Sequence, residues 1–157
     1  MEKTTGIVGQ ISAPTNACPP VSVVGAIIEM LIRRHPDAQA IYLFGSYGTE
    51  DEWPDSDVDI ALLLPPETAK TLGGLELVKT QTTLSSLLHK PVDLLNLRQI
   101  STTFQKEVVM ADRRIYTSDK YAAEEFEMLT LSYYQKLNEE RAEVLAEGLR
   151  SGRFYNV

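Results

Sequence analysis

From residue 21 onward, the hydrophobic positions fall into alternating helical and extended stretches. Val21, Val24, Ile27, Ile28, Leu31 and Ile32 recur with a 3.6-residue period and predict a helix. Arg33, Arg34 and His35 suit the negative end of its dipole, and Pro36 stops it. Residues 39–44 read as a strand, followed by a turn-rich stretch, 45–56, holding Gly48, Asp51 and Pro54. Residues 58–64 form a nearly unbroken apolar run closed by Pro65 and Pro66, as expected of a strand covered on both faces. Residues 67–88 predict a helix with Leu72, Leu75, Val78, Thr82, Ser85 and Leu88 along one side, weakened early by Gly73 and Gly74. Pro91 opens a third strand over 92–97. A short helix over 102–110 should turn Phe104, Val108 and Val109 inward, and a small strand fits 114–116.

The last element is a long helix, with Ser118 as its cap and Asp119 as its first residue. Ala122, Phe126, Leu129, Tyr133 and Leu137 make one stripe that Leu145 and Leu149 continue. At roughly 30 residues it exceeds the usual 8–20, so part of it is expected to lie on a partner. Strands separated by helices predict an α/β fold. Residues 1–20, with Gly6, Gly9, Pro14, Pro19 and Pro20, read as an irregular arm ahead of a single domain over 21–157.

Composition narrows the class. The chain has 157 residues, 43% hydrophobic and 24% charged, which suits one globular domain and excludes a disordered chain. Twenty-two acidic residues against 15 basic ones give a net charge of -7, and no basic block stands out. Direct nucleic-acid binding through broad electrostatic attraction is therefore not expected. Cys18 is the one cysteine, so no internal disulfide forms. His35 and His89 have no zinc-site spacing. The start of the chain lacks an apolar signal region, and no run approaches 18 apolar residues. A cytoplasmic, non-membrane protein is expected.

The chemistry concentrates at two places. Asp57 and Asp59 are two apart on an extended chain and leave the same face, while Ile60, Leu62 and Leu64 take the other. Adjacent carboxylates repel unless a proton or cation joins them, and all-oxygen ligands point to Mg²⁺ or Mn²⁺. Asp93, near the start of the next strand, is the candidate third ligand. Gly45 and Ser46 follow a strand end, where glycine permits a tight turn and the serine hydroxyl can face phosphate oxygens. Taken singly, a paired acid is a solvated feature and Gly-Ser is a turn. Taken together, they suit phosphoryl or nucleotidyl transfer.

Gly45-Ser46, ten intervening residues and then Asp57-Val58-Asp59 resemble the signature of nucleotidyltransferases related to DNA polymerase beta. With residues 41–46 ahead and 92–97 behind, the chain is similar to the minimal nucleotidyltransferases. It looks closest to the MntA-type adenylyltransferase antitoxins, partners of HEPN ribonuclease toxins. Residues 103–108, 114–116 and 133–135 echo the tail pattern of that group.

The resemblance implies a small mixed-sheet nucleotidyltransferase fold with flanking helices and a long C-terminal helix. It implies that Gly45 and Ser46 contact the β and γ phosphates of ATP, and that Asp57 and Asp59 hold two Mg²⁺ ions. Asp93 would hold the ion that activates the acceptor hydroxyl and assist in removing its proton. It further implies transfer of AMP to a tyrosine of a HEPN toxin encoded by the adjacent gene, in a hetero-oligomer. The alternatives are a transferase acting on a small hydroxylated molecule and a non-catalytic, toxin-binding antitoxin.

One departure from the family matters. Many relatives carry a basic residue shortly after the Gly-Ser turn, and here Glu50, Asp51 and Glu52 follow. Either the cation compensates the triphosphate, or these acids face a basic partner. Lys79, Lys90 and Arg98 are candidate suppliers of positive charge.

Overall fold

The computed structural model describes residues 21–152. The arm at 1–20, Cys18 and Phe154 lie outside the described residues. Nine elements follow one another: α1 (Val21–Arg34), β1 (Ala40–Phe44), β2 (Val58–Leu63), α2 (Pro66–Thr71), α3 (Gly74–Leu88), β3 (Val92–Asn96), α4 (Thr102–Met110), β4 (Arg114–Thr117) and α5 (Lys120–Ser151). A single 3₁₀ turn, Leu97–Gln99, joins β3 to α4. The strands form one mixed sheet in the order β3-β2-β1-β4. β1 runs antiparallel to β2 and β4, whereas β2 and β3 are parallel. The parallel pair needs a crossover, which α2 and α3 provide.

Alternation along the strands assigns the two faces. Ile41, Leu43, Val58, Ile60, Leu62 and Leu94 pack with Ile27 and Leu31 of α1 and Leu84 of α3. Ala40, Tyr42, Phe44, Ala61 and Leu63 pack with Val108 of α4 and Ala123 and Phe126 of α5. Helices thus cover both faces, which is why β1 and β2 tolerate near-continuous apolar sequence.

Several expectations need correction. The stretch 67–88 is two helices, because Leu72 turns extended (ψ 117°) and Gly73 caps α3 without a side chain. The inward side of α3 is Leu77, Thr80, Leu84 and Leu88, whereas Leu75 and Val78 are exposed. Thr80 is tolerated inside because its hydroxyl donates to the Glu76 carbonyl at 3.1 Å and lies 3.3 Å from Nε2 of buried His35. Burial lowers the pKa of His35, so this ring packs and does not act as a helix-end charge.

At α5 the cap is Asp119, which accepts from the Ala122 amide at 3.0 Å, while Ser118 donates to the Ala38 carbonyl. The buried stripe is Ala123, Phe126 and Thr130. Leu129, Tyr133, Leu145 and Leu149 are exposed. From residue 131 to 151 only Gly148 is buried, so the second half of α5 draws little stability from its own domain.

Candidate active site

The site forms where β1 ends and β2 begins. Phe44 pairs with Asp59 across the antiparallel ladder, and Asp59 pairs with Asp93 across the parallel one. Register therefore sets the two carboxylates side by side on the α4–α5 face. Asp57 is exposed one residue ahead of β2 and still raises the pKa of Asp59 through its charge. Burial is the largest cause of that shift, then Asp93, then Asp57. Together they push the half-buried Asp59 carboxyl up to about 6. No hydrogen bond or ion pair from the described residues reaches any of the three carboxylates. They are not gathered into a preformed cage either: among the described residues no three acidic, histidine or cysteine side chains converge into a metal-holding group.

Gly45 makes the turn, with φ +74°, a left-handed value that disfavours residues bearing a Cβ. The space its Cβ would fill is already taken by the Asp59 carboxylate, which an added methyl would strike. Glycine here serves the approach of Asp59 as well as any approach of phosphate. Ser46 Oγ donates to Ser56 Oγ at 3.1 Å, and Ser56 Oγ also accepts from the Trp53 amide at 2.7 Å. The Ser46 carbonyl accepts from the Thr49 hydroxyl and amide, closing the turn.

The two charged residues that brace this turn come from distant segments. Arg113, in the connection ahead of β4, donates from Nη1 to the Gly45 carbonyl at 3.2 Å and from Nη2 to the Tyr47 carbonyl. Lys90 donates to the carbonyls of Pro54 (3.3 Å) and Ser56 (3.5 Å), pairs with Glu52 at 3.6 Å and sits over the Tyr47 ring. Of the three candidate cations, Lys90 is the one whose side chain contacts this loop among the described residues. Arg98 binds the Leu64 carbonyl and Gln39 at the opposite end of β2, and Lys79 pairs with Glu76 on exposed α3 surface. Glu50, Asp51 and Glu52 are all exposed, and Glu52 bends back over the loop to accept from the Gly48 amide at 2.9 Å.

A cleft of about 500 Å³ opens over the site, lined by Phe44, Gly45, Asp59, Ser101, Thr103, Phe104 and Glu107. Phe104, expected in the core, instead stands edge-on to Phe44 with ring centroids 5.7 Å apart and forms one wall. The i, i+1, i+4 spacing of Thr103, Phe104 and Glu107 on α4 was the available sign of a shared face. Arg113 gave no such sign, since it acts 68 positions away from Gly45.

A Gly-Ser turn beside strand-borne carboxylates, on a four-stranded mixed sheet, defines a nucleotidyltransferase. The chain belongs to that family: residues 26–121 match polymerase beta, nucleotidyltransferase. A protein adenylyltransferase, MntA of Shewanella oneidensis, is 35% identical over 119 residues, which cover 76% of this chain and 82% of that one. Among solved structures, a chain from a toxin–antitoxin complex with AMP-PNP superposes with a TM-score of 0.69 at 33% identity, covering 80% of this chain and 98% of that chain. A chain from the complex of tri-AMPylated Shewanella oneidensis HEPN toxin with MNT antitoxin gives 0.66 at 33% identity, covering 82% and 97%. Among the described residues no helix is long and apolar enough to cross a membrane.

Proposed function

We propose that the protein is an antitoxin adenylyltransferase that moves AMP from ATP to a tyrosine of a HEPN ribonuclease toxin encoded beside it. The observation that carries this reading is that the Gly45 turn and Asp59 line one open cleft, with Asp93 set beside Asp59 by strand register. The relatives support the substrate and partner, one being a protein adenylyltransferase and another a complex with an AMPylated HEPN toxin.

The carboxylates fit a hard divalent cation. Their donor set is all oxygen, and the upward pull on Asp59, from burial first and then from the charges of Asp93 and Asp57, is one that such a cation relieves. Asp57, Asp59 and Asp93 would hold Mg²⁺ or Mn²⁺, which supplies charge compensation for the triphosphate and lowers the pKa of the acceptor hydroxyl. Gly45 and Ser46 offer an amide-rich turn and a hydroxyl to the β and γ phosphates. Arg113 holds that turn through the Gly45 carbonyl, and Lys90 holds the returning end of the loop through the Ser56 carbonyl, which spares the loop reorganisation. In the transfer, the tyrosine oxygen forms a bond to the α phosphorus, the bond from that phosphorus to the bridging oxygen breaks, and pyrophosphate leaves. The phenolic proton passes to Asp93, the exposed member of the pair.

The test is to incubate the purified protein with its neighbour's HEPN product, ATP and Mg²⁺. The partner should gain mass in steps of one adenylyl group, on tyrosine, and lose ribonuclease activity. Inhibition without added mass would leave a purely binding antitoxin. Modification of a small hydroxylated compound, with the HEPN protein untouched, would make this a small-molecule transferase.

A further inference from the structure

The loop between β1 and β2 carries a feature that catalysis does not need. Trp53 is the one tryptophan of the chain and is 71% exposed. A large aromatic ring in water forfeits the burial that such side chains usually gain, and tryptophan is the residue most enriched where binding energy concentrates. The exposure does not come from a loosely held loop. The Trp53 amide donates to Ser56 Oγ, the Ser56 amide returns a bond to the Trp53 carbonyl at 2.9 Å, and Lys90 holds the carbonyls of Pro54 and Ser56 that follow it. The ring is presented on a braced turn, so little ordering remains to be done when it is buried.

Its surroundings specify the partner. Glu50, Asp51 and Asp55 are exposed around it. Lys90 is already engaged with Glu52. The loop therefore shows net negative charge around an apolar tip. The Ser56 hydroxyl that receives the Trp53 amide also receives the Ser46 hydroxyl, so the tip is one bridging side chain away from the phosphate-facing turn.

We propose that residues 47–57 form a docking finger, with Trp53 as the anchor that enters an apolar recess in a basic surface of the acceptor protein. This rests on the adenylyltransferase reading and deepens it, by naming the surface that brings the acceptor hydroxyl to the cleft. Trp53 supplies the affinity, while Glu50, Asp51 and Asp55 speed the encounter in a salt-dependent manner.

The single tryptophan makes the test direct. Incorporating 5-fluorotryptophan into this chain alone gives one ¹⁹F resonance, and the unlabelled HEPN protein encoded beside it is then titrated in without ATP. The resonance should shift and lose its solvent-isotope response as the complex forms. Trp53→Ala should weaken complex formation about 30-fold. Glu50→Gln with Asp51→Asn should slow association and flatten its salt dependence. ATP affinity should stay unchanged in both variants. A complex seen by calorimetry with the Trp53 signal unmoved, or wild-type affinity in Trp53→Ala, overturns the docking surface. Failure of any complex to form overturns it too. A complex that buries Trp53 but shows no adenylyl transfer on adding ATP and Mg²⁺ leaves the docking surface standing and removes the transfer reading.

Discussion

The two ends of β2 solve opposite problems. At its far end, polar groups find partners within the chain. Arg98 binds the Leu64 carbonyl and Gln39 Oε1 and lies over the Phe126 ring, while Asn96 donates to the Ala69 carbonyl. One amide oxygen there, Asn96 Oδ1, has no partner. At the near end, Asp57, Asp59 and Asp93 act on one another without a compensating cation from the described residues, and Arg113 and Lys90 hold backbone carbonyls of the neighbouring loop. The far end is organised for stability. The near end keeps like charges together at some cost to it, as sites that await a ligand commonly do.

The sharpest way to break this contrast is to neutralise each end in turn. Asp57→Asn or Asp59→Asn should lower AMP transfer by on the order of 10³-fold while leaving the fold intact. Arg98→Ala should do the reverse, removing about 2 kcal/mol of stability with transfer per folded molecule retained. Transfer assays paired with urea melts distinguish the two. If Arg98→Ala abolished transfer in a folded protein, Arg98 would be a triphosphate contact and the contrast would fail. Asp93→Ala comes next, with turnover down roughly 10²-fold while ATP binding is kept, measured by single-turnover kinetics and calorimetry. Loss of the circular dichroism signal in that variant would assign Asp93 a structural role.

What could be read from the sequence follows the range of the forces involved. The inward pattern of β2, Ile60 and Leu62 against Ala61 and Leu63, is local and period two, so it was legible. The acids and the Gly-Ser turn were legible as residue types, but the Asp59–Asp93 pairing needed the parallel register of two strands over thirty positions apart. The face of α3 was misread because Leu75 and Val78 look inward by hydropathy, whereas Thr80 is inside. Its hydroxyl is satisfied by the Glu76 carbonyl one turn back and by the distant His35, which no local pattern announces. Phe104 was assigned to the core by its type, and it lines the cleft because Phe44 gives it an edge to lean on. Arg113 belongs to no local pattern at all.

Gly45 tests how tightly the near end is built. Gly45→Ala should cost about 1–3 kcal/mol, from the left-handed backbone and from contact of its Cβ with Asp59. ATP affinity should fall with it, whereas phosphate approach alone would predict a binding loss with little change in melting. In an Asp59→Ala background the same substitution should cost less, since the group it strikes is gone. Equal costs in both backgrounds would leave backbone strain as the whole effect.

The smallest predicted effect is a pH dependence of the metal-free protein. Asp59 titrates near 6 when folded against 3.8 for an unperturbed aspartate, with burial the largest cause and Asp93 the next. A raised carboxyl pKa means that the folded state holds the proton more tightly than the unfolded one. Between about pH 4 and 6 the folded protein therefore binds more protons, and stability falls as pH rises through that window. Because Asp59 is only half-buried, solvent screening limits the loss to about 1 kcal/mol. Asp59→Asn should abolish this slope and recover that stability at neutral pH. Asp93→Asn should lower the Asp59 pKa only in part, since burial remains. Mg²⁺ should move the titration below the 3.8 of an unperturbed aspartate and so reverse the slope. Carboxyl ¹³C titrations and urea melts across the window measure all of this. A metal-free Asp59 that titrates near 3.8 with flat stability would show that the near end stores no charge strain, and the contrast between the two ends of β2 would rest on the missing partners alone.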